Sequence, residues 1–358
     1  MKTLKKIVLS IFLLAGIGTM MSSITGEAAE FNFAVTPQIP DNQIDKSKTY
    51  FDLQLSPDQN QELTVNLRND TDQEVVVEAQ INSATTNSNG VVEYSANEIA
   101  PDSSLKFNLK DYVEAANEIT LAPHSETDYK LNIHMPNEAF EGIIAGGITF
   151  QEKKAEETTT SSDDSSGLAI KNEYSYVVAL LMRQGTENGS PDLKLLKAGA
   201  EQVNARTLIY GNLQNPNPVY LNQLTTHMTV TKQGKAEVIY ENTQTGMQMA
   251  PNSNFNLGLP LNGERLSPGR YLLKIDAYGQ KDEAGAFTYP NTDGQKENYR
   301  YNWQLEKEFE IKADEARKLN DKDVTVKQDF TWLYILIGIL LLLVIIIIIW
   351  YKQKHGKK

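Results

Sequence analysis

From Trp332 to Tyr351 the chain runs for twenty residues without a charged side chain. A helix rising about 1.5 Å per residue would stretch such a segment over roughly 30 Å, the hydrocarbon thickness of a bilayer. Trp332 and Tyr334 stand at one end and Trp350 and Tyr351 at the other, where amphipathic rings settle at headgroup level. Lys352, Lys354, Lys357 and Lys358 follow at once, which places residues 352–358 in the cytoplasm by the positive-inside bias. A buried core helix is the alternative, but a surface-packed helix would carry a polar stripe, and none is present. The segment 332–351 is therefore predicted to be a single transmembrane helix with the lipid bilayer as its partner.

The beginning of the chain fits that topology. Lys2, Lys5 and Lys6 precede an apolar stretch from Ile7 to Met21, and Gly26-Glu27-Ala28 supplies small residues for a signal peptidase. Residues 1–28 are predicted to be a signal peptide, which makes the chain a single-pass type I protein of the cell membrane. Its exported part would lie outside the cell, within the cell wall. There is no cysteine, so that part uses neither disulfides nor thiolate metal sites. The formal net charge is −12, and the two lysine-rich ends leave the exported part more acidic still. Such a balance disfavours phosphate-backbone binding, so nucleic acid is not expected as a partner.

The exported part reads as strands and turns. Phe51, Leu53 and Leu55 alternate with polar residues, as do Leu63, Val65 and Leu67, then Val75, Val77, Ala79 and Ile81, then Leu131, Ile133 and Met135. Asn89-Gly90 is a tight-turn signal. The one helix predicted in this half covers Leu109 to Ala116. Lys153 to Gly167 is of low complexity and cannot bury enough apolar area to offset its ordering entropy. It is flanked by apolar runs at Gly142–Phe150 and Tyr174–Met182 that suit adjacent strands. The prediction is a disordered insertion at 153–167 inside a first β-sandwich of residues 30–184, with turn chemistry near Gln184 to Pro191 closing it.

The second half repeats the style. Strands are expected at Asp192–Leu195, Thr207–Leu213, Leu224–Thr231, Ala236–Tyr240, Asn254–Leu259, Tyr271–Tyr278 and Tyr301–Ile311, punctuated by prolines. These give a second sandwich over 190–312, followed by a charged stalk at 313–331. The predicted fold class is all-β: two tandem immunoglobulin-like β-sandwich domains, followed by a single C-terminal transmembrane helix.

No catalytic constellation stands out. His124, His134 and His227 lie outside any HExxH pattern, and there is no GxSxG, Walker loop or GxGxxG before a helix. Carboxylates are plentiful but form no distinctive pair. The chain is predicted not to be an enzyme: no catalytic, cofactor-binding or metal-ligating residue is assigned and no cofactor is expected. Gly146-Gly147 inside an apolar run suggests a bulge or a close backbone approach, structural or ligand-facing. Ala250-Pro251-Asn252-Ser253 is either a plain bend or a partner-facing loop. Ser267-Pro268-Gly269 is ordinary turn chemistry, and Trp303 is either a core-rim residue or a sugar platform.

Several segments in this order resemble a known family. They are Phe33-Ala34-Val35-Thr36-Pro37, Tyr50-Phe51-Asp52-Leu53, Leu63-Thr64-Val65-Asn66-Leu67, Leu121-Ala122-Pro123-His124-Ser125, Met135-Pro136 and Phe140 to Ile148. Leu213-Gln214-Asn215-Pro216, Met249 to Phe255, Leu266 to Tyr271, Trp303, Phe309, Ala316 and Leu319-Asn320 follow. Together they resemble the WxL-interacting proteins of low-GC Gram-positive bacteria. The resemblance implies an N-terminal peptidoglycan-binding domain, a C-terminal host-binding domain, and a division nearer residue 153. It also implies peptidoglycan, secreted WxL-domain proteins and host matrix proteins as partners. The ligand-binding residues stay unknown, since neither half shows a compact polar-aromatic cluster whose spacing forces one surface. The functional expectation is a membrane-anchored binding protein without catalysis; the alternative is a scaffold or assembly factor for secreted surface proteins.

Overall fold

The computed structural model describes residues 32–153, 174–185, 189–291, 293–326 and 331–355, with side chains of the last segment described for 335–350. The predicted signal peptide, and the low-complexity stretch beyond Lys153, lie outside the described residues.

The fold is all-β, with sandwich-like units. In the first unit, β1 (Ala34–Gln38), β3 (Asn60–Asn69), β9 (Ser125–His134) and β7 (Val113–Ala115) form one sheet in the order β1-β3-β9-β7. The opposing sheet contains β2 (Phe51–Gln54), β4 (Val75–Ser83), β8 (Glu118–Leu121), β10 (Ile144–Glu152) and β11 (Ser175–Arg183), ordered β2-β11-β10-β4-β8. The period-two alternation decides which side chains enter the space between them. Leu63, Val65 and Leu67 from β3 meet Val75, Val77 and Ala79 from β4 in one apolar cluster. Tyr129 and Phe150 join the sheets edge to face, with ring centroids 5.1 Å apart. Tyr129 donates its hydroxyl to the Ala116 carbonyl at 2.5 Å, and burial pushes that phenol up to about 12.

Strand β11 lies between β10, which it meets antiparallel, and β2, which it meets in parallel. The chain thus returns to the first unit after residues 154–173. Arg183 at the end of β11 holds Asp52 of β2 through Nη2 at 2.6 Å, with both side chains largely out of solvent. Strand β10 is buried on both faces over Ile144–Phe150, and its glycines show why. A Cβ on Gly146 would sit 2.1 Å from the Asn82 carbonyl oxygen, and one on Gly147 would sit 2.5 Å from that of Tyr94. The paired glycines allow a close backbone approach on either side of the strand.

In the second unit, β12 (Lys194–Val203), β13 (Arg206–Asn215) and β16 (Ser253–Pro260) face a sheet ordered β15-β14-β17-β19-β18. Those strands are β14 (Leu221–Lys232), β15 (Val238–Met249), β17 (Gly269–Lys281), β18 (Phe287–Pro290) and β19 (Lys296–Ile311). Ile209, Leu213, Met228, Val230, Leu257, Leu273 and Ile275 fill the centre.

Three expectations need correction. The helix predicted for Leu109–Ala116 is a single 3-10 turn, Leu109–Asp111, because Val113 is buried and β7 pairs with β9. The segment read as a stalk is not free of the second sandwich. Its helix, Ala313–Lys322, buries Ala316 and Asn320, and Asn320 exchanges two 2.8 Å hydrogen bonds with the Leu266 backbone. The buried Asp323 beyond it accepts the Thr207 backbone N–H at 2.7 Å. Finally, among the described residues no helix is long and apolar enough to cross a membrane. A C-terminal helix does run Thr331–His355, but the side chains described along it cover only 335–350.

Candidate binding site

The junction between the two sandwiches carries most of the polar chemistry that the cores exclude. Its first element is a hairpin of β5 (Thr85–Thr86) and β6 (Val92–Glu93), closed at Asn89-Gly90 with Gly90 at φ +68°. Asn87 shapes the turn by accepting the backbone N–H groups of Asn89 and Val91 on its side-chain oxygen. The hairpin lies against the second sandwich: Gln248 donates its N–H to the Gly90 carbonyl at 2.7 Å, and a Cβ on Gly90 would meet the Met247 side chain.

Below the turn, Ala250 N–H donates to Thr86 Oγ1 at 3.0 Å, and Thr86 Oγ1 lies 2.6 Å from Ser253 Oγ. Ser253 gives its own proton to the Ala250 carbonyl at 2.8 Å, so the Thr86 hydroxyl is the donor between the two. Nearby, Asp102 is buried and accepts from Ser104 N–H, Gln214 Nε2 and Asn254 Nδ2, the last two belonging to the second sandwich. Burial alone would raise its pKa; the hydrogen bonds from Ser104, Gln214 and Asn254 outweigh that and hold it below the ordinary carboxylate range. Ala84, Val92, Ile143, Ala145, Leu181 and Ala250 form the apolar part of the junction, flanked by Tyr50, Tyr94 and Tyr220. The Tyr94 hydroxyl donates to that of Tyr220 at 2.9 Å, and burial pushes the Tyr220 phenol well above its usual value. Ile143 N–H donates to the Pro218 carbonyl at 2.7 Å.

A cleft of about 240 Å³ opens beside this junction. Asn82, Asn97, Asn108 and Lys110 come to it from the first sandwich, Asn252 and Asn254 from the second, with Ile81, Ile99 and Leu105 as apolar wall. The Ala250-Pro251-Asn252-Ser253 bend is therefore an internal contact between sandwiches, with Asn252 at φ +49° facing the cleft.

Two outer faces differ sharply. On the first sandwich, β3 and β9 align Asn60, Glu62, Thr64, Asn66 and Arg68 with His134, Asn132, Lys130, Asp128 and Glu126. Lys130 reaches Glu62 at 2.9 Å, and His134 Nδ1 lies 2.5 Å from Asn60 Oδ1. On the second, Tyr278 packs against Tyr289 and Tyr299 with centroids 4.8 and 5.7 Å away, and His227 lies 6.4 Å from Tyr289. Tyr299 is buried there with its hydroxyl 3.1 Å from Thr225 Oγ1, outside the central core.

The remaining residues singled out in the sequence are dispersed. His124 contacts Asp72 in an exposed turn, and His227 contacts Thr243. Among the described residues no group of three or more His, Asp or Glu side chains is placed to hold a metal. Trp303 pairs with Ala277 and stacks on Tyr301 at the rim of the second core. Ser267 accepts the Tyr271 hydroxyl at the turn into β17. Asp102, Gln214 and Thr86 were not singled out for any role, because a contact between domains has no periodicity to betray it.

Residues 33–152 match the model of the WxL Interacting Protein peptidoglycan binding domain, and residues 165–321 match that of the host binding domain. The second match begins ahead of β11, a strand paired into the first sandwich. No curated protein matches the chain in sequence. Among solved structures, it is similar to the class 5 fimbriae chaperone CfaA (9% identity, TM-score 0.26, 75% of this chain and 100% of that one). It is also similar to the CsuC-CsuE chaperone-tip adhesion subunit pre-assembly complex of Acinetobacter baumannii (9%, TM-score 0.30, 63% and 90%) and to the Escherichia coli chaperone DraB (14%, TM-score 0.25, 78% and 98%). TM-scores this low carry no argument about this chain. The two family matches together cover most of it, one on each half, and the chain belongs to the WxL-interacting protein family, with a peptidoglycan-binding domain followed by a host-binding domain.

Proposed function

We propose that the protein is a non-catalytic binding protein of the Gram-positive cell surface, exported by residues 1–28 and held to the membrane by the apolar segment 332–351. Its two sandwiches are read as immunoglobulin-like modules, the first spanning 30–184 with β11 included. The first engages peptidoglycan; the second engages a protein, either of the host matrix or a secreted WxL-domain protein, the latter implied by the family's name. The observation that carries this reading is the pair of family matches falling on two sandwiches joined by a hydrogen-bonded junction.

Co-sedimentation with purified peptidoglycan tests the first half of the proposal. The protein should pellet with the insoluble wall at physiological ionic strength. Attraction to anionic wall polymers cannot be the cause, since the chain is itself acidic. Loss of pelleting at that ionic strength would overturn the reading. Truncation after Gln328 tests the anchor: the shortened protein should appear in the medium, and its retention on washed membranes would place the attachment elsewhere.

A further inference from the structure

We propose that the cleft between the sandwiches binds an N-acylated ligand bearing a carboxylate, with Asn108 and Asn252 meeting the amide and Lys110 the carboxylate. The argument starts from the orientation of two side-chain amides. Ser83 Oγ accepts the Leu109 backbone N–H at 2.8 Å, so its own proton goes to Asn108, 3.0 Å away. That contact fixes the oxygen of Asn108 towards Ser83 and leaves its Nδ2 with no protein partner among the described residues. On the other wall, Asn252 Nδ2 donates to the Pro216 carbonyl at 2.7 Å and to Ser104 Oγ at 3.4 Å, and Asn252 Oδ1 has no protein donor among the described residues. One wall thus offers an open donor and the other an open acceptor, and each wall belongs to a different sandwich.

A secondary amide presents the complementary pair, a C=O and an N–H on opposite sides of one planar group. Ile81, Ile99 and Leu105 supply apolar surface for the alkyl part of the acyl group. Lys110 is exposed and makes no ion pair among the described residues, although the chain as a whole is acidic. Asp102 lines the same cleft without pairing with Lys110: its Oδ1 accepts from Ser104 N–H and Gln214 and its Oδ2 from Asn254. At about 240 Å³ the cleft has room for a residue-sized group and not for a polysaccharide laid lengthwise.

An amide and a free carboxylate a few bonds apart occur in wall material at the C-terminus of a stem peptide and, where the stem peptide has been cleaved from the glycan, at the N-acetylated muramic sugar. The proposal deepens the peptidoglycan reading above and rests on it for the source of the ligand. Titration calorimetry on the full-length protein in detergent micelles distinguishes the sources, using acetyl-D-alanyl-D-alanine, N-acetylmuramic acid and N-acetylglucosamine. One of the two carboxylated probes should bind about tenfold more tightly than N-acetylglucosamine, which lacks the carboxylate. Lys110→Ala should erase that difference and Lys110→Arg should keep it. Asn108→Asp retains the acceptor for Ser83 but replaces the open donor by an oxygen, so binding should be lost with the melting temperature unchanged. Failure of both carboxylated probes to saturate, or binding unaltered by Asn108→Asp, overturns the proposal. Pelleting with whole peptidoglycan separates the two ideas. Equal pelleting by wild type and Asn108→Asp removes the cleft and leaves wall binding intact, whereas no pelleting by wild type removes the wall reading on its own account.

Discussion

On the first sandwich, the sheet built on β3 and β9 shows solvent a field of amides and carboxylates with Arg68 and Lys130 among them. The matching sheet of the second sandwich carries a mound of tyrosines, with Tyr299 buried against Tyr278, which packs in turn on Tyr289. The interiors differ in a related way. Gly146, in the first, is walled by backbone: a Cβ there would meet the Asn82 carbonyl at 2.1 Å. Gly211, in the second, is walled by the ends of Leu195, Leu273 and Ile275 side chains at 2.9–3.0 Å. A backbone wall cannot yield, whereas side-chain ends can change rotamer, so Gly146 is the less forgiving of the two positions. The second unit also spends part of its outer face on a small satellite core around Tyr278, Tyr289 and Tyr299.

The comparison can be broken most decisively by cutting the first unit at the limit of its family match. A fragment of residues 32–152 lacks β11, which separates β2 from β10, and should show no cooperative unfolding by circular dichroism in urea. A fragment of 32–185 should unfold in one transition. Equal midpoints for the two would mean that β11 belongs functionally to the other half. Next in size are the glycines. Gly146→Val should cost more than about 4 kcal/mol, enough to abolish folding of the first unit, while Gly211→Val should cost about 1–3 kcal/mol. Similar losses at both sites would remove the distinction between the two walls.

The junction gives a smaller effect. Asp102→Ala leaves Gln214 and Asn254 without their shared acceptor and should cost about 1–3 kcal/mol. Calorimetry should then resolve two transitions where the native protein shows one; a single unshifted transition would show the sandwiches to be independent already. The smallest expected effect is the acid response of the second unit. Burial would raise the pKa of Asp323, but hydrogen bonds from Thr325 and from the Thr207 backbone hold it well below the usual carboxylate range. With its folded value depressed, the group's stabilisation is complete above the unfolded value near 3.9 and is lost as pH falls from there towards the folded one. Asp323→Asn should flatten that acid slope of the unfolding free energy. A slope left as steep as in the native protein would assign the acid response to other carboxylates.

The strands with one buried face were legible in the sequence, because alternation at Leu63, Val65 and Leu67 or at Trp303, Leu305 and Phe309 reports a local fact about a pleated chain. Helix-like residues at Asp111–Ala115 misled for the same reason: local propensity favoured a helix, and pairing of Val113 with Ile133 overrode it. The docked helix was harder to read, since charged residues on its solvent face mask the contribution of Ala316 and Asn320. The cleft was not legible at all. Asn108 and Asn252 lie far apart in sequence, in different sandwiches, and each becomes interesting only through the neighbour that fixes its amide. The segments carrying the family resemblance fare better than the periodicities here: Phe140–Ile148, Met249–Phe255 and Leu319-Asn320 all contribute to the junction or to helix docking.

The helix Ala313–Lys322 has a mechanical consequence. Only four residues separate Val326, buried against the second unit, from the start of the C-terminal helix at Thr331. Tension from that side therefore acts first on the Val324 N–H bond to the Ala205 carbonyl and on the contacts of Asp323 and Asn320, a handful of hydrogen bonds, before it reaches the long ladder between β17 and β19. Ten helical residues occupy about 15 Å and about 34 Å when drawn out. With the anchor proposed above at 332–351, a tug that strips the helix would lengthen the tether by roughly 20 Å while both sandwiches stay folded, giving the protein slack under shear.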